Sequence, residues 1–301
     1  MKFPIIKNKN WFLFASALFV SLSIYSLVSF GLKPGIDFKS GSMWQISVPA
    51  SERSLADFLK SDLKIEDPII SYDAQTESFS IVMGETTDAL RAEYSEKLKS
   101  RFGDLKELDF GSTSPSVSSE LRNRAVLLIV SVLVVMALYI TIAFRGISKP
   151  VSSWKYGIAT VIALAHDVTI AAGIYALMGH LKGVTIDTNF IVALLTIAGF
   201  SAQDTIVVFD RIRENLLGEK GKTNLPEVVN KSVNEVLGRS INTSVSIMLV
   251  LAAIAFFGPL SVKYFALTML VGLFFGTYSS IFVASPVLVL WHSLDTKVKK
   301  L

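Results

Sequence analysis

Three polar side chains fall on one face of a long apolar stretch in the second half of the chain. Ser201, Asp204 and Thr205 are spaced i, i+3 and i+4, so they lie side by side if the stretch is helical. A carboxyl group among hydroxyls inside an apolar helix bundle can take up and release a proton. We therefore consider Asp204 a candidate proton carrier and its two neighbours its supporting polar face.

A second polar stripe opens a later apolar stretch. Arg239, Asn242, Thr243 and Ser246 are spaced i, i+3, i+4 and i+7, which makes one continuous stripe on a helix. Both stripes occupy the same end of their stretches, so we predict that they meet and that Asp204 and Arg239 form an ion pair. The alternative is that Arg239 only extends to the lipid headgroups.

A third candidate is the carboxyl group of Asp167, which lies near the middle of another apolar stretch and directly follows His166. An ionisable side chain at bilayer depth costs about 2.5–3.5 kcal/mol on insertion scales and is usually functional. An adjacent imidazole can exchange a proton with it. We predict that the pair extends the proton path; the alternative is a hydrogen bond that ties helices together.

The chain lacks the residues that several other kinds of chemistry require. The chain has no cysteine and only three histidines, which excludes thiolate catalysis and disulfides and leaves little for a histidine metal site. It has no phosphate-binding loop, HExxH or GxSxG motif. The net charge of +4 does not suggest nucleic acid. We expect neither an enzyme nor a cofactor, and a proton gradient as the energy source.

The composition indicates a membrane protein. Hydrophobic residues make up 51% of the 301 residues, charged residues only 18%, and the mean hydropathy is +0.52. A helix needs about 20 apolar residues to cross the hydrocarbon. Six stretches qualify: 11–32, 125–144, 156–179, 188–209, 240–257 and 264–291. We expect a polytopic inner-membrane protein. We interpret its first span as a retained anchor; the alternative is a cleavable signal peptide, but the apolar run is long and no A-x-A site follows it.

The distribution of basic residues predicts the orientation. Lysine and arginine cluster at both termini, between spans two and three, and between spans four and five. The remaining short loops hold one basic residue each, Lys182 and Lys263. Basic loops stay in the cytoplasm. Both termini are therefore expected there, with residues 33–120 outside and residues 210–239 as a cytoplasmic loop. An amphipathic helix is expected within that loop, lying on the membrane or the bundle.

Residues 33–120 are predicted to form an inserted domain. The first span lies before it in residues 1–32, and spans two to six follow it in residues 121–301. Strand and helix patterns alternate as βαββαβ, the ferredoxin-like α+β arrangement. A Ser/Thr/Pro-rich segment, 111–119, is expected to link the domain to span two. A folded domain of this kind indicates docking of an extracytoplasmic partner, and the simpler alternative is a rigid spacer.

Several motifs together resemble the SecF family of bacterial Sec translocase accessory subunits. They run in order from the first span to the last and cover most of the chain. The motifs are GIDF at 35–38, AHDV at 165–168, GFSAQDT at 199–205 continuing into VFDRIREN at 208–215, and RSINTS at 239–244.

The resemblance implies a fold and a role. SecF subunits pair with SecD into a twelve-span assembly related to RND transporters, so six spans would be half of such a bundle. The assembly assists late stages of preprotein export through the SecYEG channel with the proton-motive force. Unfolded preprotein on the extracytoplasmic side is a further implied partner. The family's proton-passage residues fall on Asp204 and Arg239.

Two departures from the family pattern affect local contacts. Gln203 stands where the family usually has Asn, and Lys39-Ser40 stands where a Thr and a first Gly usually follow GIDF. We interpret Asp37 as a cap or the start of a strand. Two other functions remain open: half of an RND-type exporter of small molecules or lipids, and a membrane scaffold without transport chemistry.

Overall fold

The computed structural model describes residues 3–73, 76–145, 151–218 and 224–298. Within these residues, six helical stretches are long and apolar enough to cross a membrane, as the composition predicted. The sixth consists of α9 and α10, which continue each other through a π-helical turn at Ser280–Ala284. In chain order the elements are α1 (Lys9–Phe30), α2 (Ile36–Lys39), β1 (Gly41–Ser47), α3 (Glu52–Ser61), β2 (Ile69–Asp73), β3 (Ser78–Met83), α4 (Asp88–Phe102), β4 (Lys106–Thr113), α5 (Pro115–Ala143), α6 (Ser153–Lys182), α7 (Thr188–Gly218), α8 (Leu225–Phe257), α9 (Leu260–Ser279) and α10 (Ser285–Val298).

The inserted domain has the predicted ferredoxin-like fold. Its four strands form one antiparallel sheet in the order β2-β3-β1-β4, and α3 and α4 are its two helices. Ser51 caps α3 by accepting a hydrogen bond from the Ser54 amide at 3.2 Å. Alternate strand residues point to one side of the sheet. Trp44, Ile46 and Ile81 bury their side chains in this way in one hydrophobic core with residues of both helices.

The expected linker at 111–119 is wrong. β4 continues to Thr113 and α5 begins at Pro115, which leaves only Ser114 between sheet and helix. Proline fits the first turn of a helix because that turn needs no donor from its backbone nitrogen. The Ser118 hydroxyl also donates to the Ile36 carbonyl at 3.0 Å, so the helix start is fixed against the domain.

The segment expected as a cytoplasmic loop, 210–239, is mostly helical. α7 continues to Gly218 and α8 already begins at Leu225, so the expected amphipathic helix is the first part of α8. Its apolar face at Val229, Val233 and Val236 packs in the same hydrophobic cluster as the end of α7. Because this face continues in register with the span, the helix does not break at the membrane surface.

Contacts from the inserted domain and the segment before it reach the ends of two spans. The Asp37 carboxylate accepts hydrogen bonds from the Thr188 amide at 2.8 Å and the Thr188 hydroxyl at 2.7 Å, so it caps α7. The cap interpretation of Asp37 is confirmed. At the end of β2, buried Asp73 pairs with Lys263 near the start of α9, with 3.5 Å between nitrogen and oxygen. The domain is thus joined to α9.

Candidate functional site

Three helices meet at the carboxyl group of Asp167. The residue lies in the middle of α6 and is completely buried. One carboxylate oxygen accepts hydrogen bonds from the Ser201 hydroxyl of α7 at 2.5 Å and from the Ser279 hydroxyl of α9 at 2.7 Å. The other oxygen lies 2.8 Å from Nδ1 of His166. A single carboxyl group therefore connects α6, α7 and α9 in the interior of the bundle.

Two glycines of α9 allow this close approach. A Cβ atom on Gly272 would lie 2.2 Å from the Ile197 side chain, and one on Gly276 would lie 3.3 Å from Cβ of Ser201. Small residues four apart let membrane helices pack with short backbone distances. The contact of α7 with α9 brings Ser201 and Ser279 within reach of the same carboxylate.

A π-helical turn begins directly after Ser279 and covers Ser280–Ala284. The Ser285 hydroxyl donates to the Ser280 carbonyl at 3.2 Å, which satisfies one backbone acceptor of the widened turn. Such turns inside α-helices occur frequently at functional sites. The turn offsets α10 relative to α9 at the level of Asp167.

The imidazole of His166 has a free nitrogen. Nε2 is buried and has no hydrogen-bond partner among the described residues, while Nδ1 faces Asp167. The ring stacks at 6.3 Å between centroids with Tyr278, whose hydroxyl donates to the Phe12 carbonyl at 3.0 Å. A buried polar atom without a partner costs free energy unless water or a proton satisfies it. Nε2 therefore has an unmet hydrogen-bonding requirement, and Nδ1 joins the ring to Asp167.

Asp204 forms a second polar centre on the next turn of α7. Its side chain is half-buried, and the hydroxyls of Thr277 and Ser240 lie near its carboxyl group. The Ser240 hydroxyl is buried and has no hydrogen-bond partner among the described residues. Thr277 hydrogen-bonds Ser244 at 2.5 Å between oxygens. Since Thr277 lies two residues before Ser279 on α9, and Ser201 lies three residues before Asp204 on α7, the two carboxyl centres are neighbours.

The predicted ion pair of Asp204 with Arg239 is wrong for this chain alone. Among the described residues, no ion pair joins the two side chains, and Arg239 is exposed. Ser240 and Ser244, four residues apart on α8, point into the bundle and are buried. Arg239 precedes Ser240 by one position, so it lies about 100° around the helix, on the outer side.

The predicted supporting residues fall into two groups. Ser201 and Thr205 are buried, but Ser201 bonds Asp167 rather than Asp204, and the Thr205 hydroxyl has no partner among the described residues. Four others are exposed on the outer surface of α7 and α8. These are Gln203, Asn242, Thr243 and Ser246.

The sequence-based prediction missed the contributions of α8 and α9. Ser240, Ser244, Thr277 and Ser279 all reach one of the two carboxyl centres directly or through a neighbour. A signal was available, because Ser240 and Ser244 are spaced i, i+4, and Thr277, Ser279 and Ser280 interrupt an otherwise apolar span.

Comparison with known families decides what this bundle is. Residues 93–294 match the family described as "Protein export membrane protein SecD/SecF, C-terminal". The chain belongs to this family. The match includes five of the six spans and both carboxyl centres, so the resemblance in the motifs is confirmed. The chain is therefore a multi-pass protein of the membrane export machinery.

Relatives with assigned roles agree with the family match. The chain is 39% identical to protein translocase subunit SecF of Thermobaculum terrenum, over 97% of this chain and 94% of the relative. It is 36% identical to protein translocase subunit SecF of Anaerolinea thermophila, over 96% and 94% of the two chains.

Solved structures confirm the fold and place it within longer chains. SecDF of Thermus thermophilus, described as a translocon-associated membrane protein, superposes with a TM-score of 0.86 at 31% identity. The match covers 97% of this chain and 39% of that chain. SecDF in its super-membrane-facing form gives a TM-score of 0.71 at 30% identity, over 100% of this chain and 40% of that chain. The chain spans about two fifths of these proteins.

Proposed function

We propose that this chain is the SecF half of a proton-driven accessory complex of protein export. It pairs with a SecD-type subunit, and the assembly uses the proton-motive force to assist late stages of preprotein movement through the SecYEG channel. Both termini lie in the cytoplasm, and the chain performs no enzymatic step. The SecF relatives support the role in translocation, and the larger SecDF chains support a missing half.

The observation that carries this proposal is a polar surface on a membrane helix. Arg239, Asn242, Thr243 and Ser246 form an exposed stripe along the outer side of α8. An arginine facing lipid at depth costs about 2.5–3.5 kcal/mol. A second six-span subunit that covers the stripe would avoid this cost. In this arrangement Arg239 faces the partner subunit and not Asp204.

Proton transfer would use the two neighbouring carboxyl centres. Asp204 is only half-buried, so a proton can reach it from the surface of this chain. The Asp167 carboxylate accepts hydrogen bonds from Ser201 of α7 and Ser279 of α9. Loss or gain of its proton would therefore change the contacts that join α6 to these two helices. His166 would extend the path. Because Arg239 lies on the outer side of α8, it would pair with ionised Asp204 only in another conformation, in which α8 has rotated.

The helix α9 would transmit this change outward. It begins close to the ion pair of Lys263 with Asp73 in the inserted domain and ends at Ser279, which bonds Asp167. A shift of α9 would therefore move the domain, which we propose engages unfolded preprotein outside the membrane. The relatives are translocase subunits, which leaves the exporter and scaffold alternatives without support.

Cross-linking tests whether the stripe faces a partner subunit. The chain has no cysteine, so a single Thr243→Cys substitution gives one site for a photoactivatable thiol reagent. Ile241→Cys is the matched control, because it lies two residues away and about 160° around α8. We expect a cross-link to a six-span SecD-type protein from Thr243→Cys alone. Equal cross-linking from both positions, or lipid adducts only, would contradict the proposal.

A further inference from the structure

An apolar groove opens on the membrane surface between the N-terminal segment, α8 and α9. Its volume is about 530 Å³. Phe12, Ile241, Met248 and Phe282 are among the apolar side chains of its wall. Ser244 and Thr277 are two of its few polar lining residues, and their hydroxyls bond each other at 2.5 Å.

The groove begins at headgroup level. Asn8 lines the end of the groove nearest the membrane surface. Two hydrogen bonds fix the segment before Asn8 to α8. The Phe3 amide donates to Asn234 at 2.8 Å, and the Ile6 amide donates to Asn230 at 3.1 Å. Trp11 is 69% exposed at the same end. Tryptophan is enriched at membrane–water interfaces. The groove therefore extends from the interface into the hydrocarbon of one leaflet.

The groove faces away from the polar stripe of α8. Ile241 and Met248 of α8 line the groove. In the polar stripe, Arg239 lies two positions before Ile241, and Ser246 lies two positions before Met248. Two positions turn a helix by about 200°. A partner subunit that covers the stripe would therefore leave the groove open to lipid.

The charge at the mouth of the groove selects the lipid. Lys7 and Lys9 flank Asn8, and no acidic residue precedes Asp37. Anionic headgroups attract basic residues near the membrane surface. We propose that the groove binds one acyl chain of an anionic phospholipid whose headgroup contacts Lys7 and Lys9.

Such a lipid would seal one side of the Asp204 centre. Thr277 lines the groove, and its hydroxyl lies near the Asp204 carboxyl group, so the wall of the groove is the outer boundary of that centre. A bound acyl chain excludes water from this side.

Native mass spectrometry tests the site directly. The full-length protein is reconstituted in nanodiscs of phosphatidylglycerol and phosphatidylcholine in equal amounts and released into the gas phase. We expect one retained phosphatidylglycerol per chain. Met248→Trp fills the groove and should abolish this adduct, whereas Leu249→Trp, at a 67% exposed position on the same helix, should retain it.

A second variant tests the headgroup contact without altering the groove. Each basic residue contributes about fivefold in affinity near an anionic surface, so Lys7→Gln with Lys9→Gln should weaken retention about 25-fold. Equal retention of both lipids, or an unchanged adduct in Met248→Trp, would overturn the proposal. Loss of a co-purifying subunit in Met248→Trp with the lipid adduct unchanged would instead assign the groove to a protein partner. These readouts do not depend on export activity.

Discussion

Replacing Asp167 with leucine removes the acceptor that joins α6 to α7 and α9. The bonds lost between helices come from Ser201 and Ser279. Side-chain hydrogen bonds between membrane helices contribute about 0.6 kcal/mol on average and about 1.7 kcal/mol at most. Two of them give a loss of about 1–3 kcal/mol. For a chain of this size, that lowers the melting temperature by about 2–10 °C.

The assay is thermal unfolding of the purified protein in detergent, followed by tryptophan fluorescence. In Asp167→Asn the amide oxygen can accept from both Ser201 and Ser279, which share one carboxylate oxygen, so this variant should lose much less stability than the leucine variant. Thr196→Val is the matched control, because the Thr196 hydroxyl bonds the Val192 carbonyl of its own helix and ties nothing else. It should leave the melting temperature nearly unchanged. If Asp167→Leu melts at the temperature of the unaltered protein, the described contacts do not hold the helices together.

A double-mutant cycle separates the bond to Ser279 from other effects of the substitution. The double variant Asp167→Leu with Ser279→Ala should lose less stability than the sum of the two single variants. The difference should be about 0.6–1.7 kcal/mol, because each substitution removes the same hydrogen bond. Additive losses would refute a direct contact.

A variant such as Asp167→Asn that remains stable but loses proton-stimulated export would separate proton transfer from helix packing.

Two further predictions concern the carboxyl group of Asp187, directly before α7, and the contact of α9 with α7. Burial raises the pKa of the Asp187 carboxyl, and the negative charge of Asp37 adds to this shift. The charged form is therefore disfavoured in the folded protein, and stability falls as pH rises above the ordinary aspartate range near 4. Asp187→Asn should raise the melting temperature at pH 8 and have little effect at pH 4; a larger gain at pH 4 would contradict this. Gly272→Ala should destabilise by about 1–3 kcal/mol because its methyl group overlaps Ile197, whereas Gly199→Ala, which has open space around it, should not. Urea or thermal unfolding measures both, and equal effects of the two alanine variants would refute close packing at α9.

Features set by local sequence were predictable. Apolar length and turn chemistry located the spans, and Gly258-Pro259 separates α8 from α9 with two residues, as expected for a tight hairpin. The βαββαβ pattern gave the fold of the inserted domain because its core positions alternate by strand and helix period. Asp37 was recognised as a cap, although its partner Thr188 lies far away in sequence.

Features set by packing between helices were not predictable in the same way. Spacing along α8 correctly grouped Arg239 with Thr243, but it could not decide which side of the helix faces α7. The inward side carries Ser240 and Ser244, so the predicted ion pair does not form within this chain. The π-helical turn after Ser279 likewise depends on contacts in three dimensions, and no residue type marks it in the sequence.

The central claim is that Asp204 carries protons for export. Inverted membrane vesicles containing the complete complex, with Asp204→Asn in this chain, measure it most directly. Asp210→Asn is the control, because Asp210 is an exposed carboxylate on the same helix, 3.8 Å from Arg213. We predict that Asp204→Asn abolishes the stimulation of preprotein export by a proton gradient while ATP-driven export persists. Full stimulation in Asp204→Asn would contradict it.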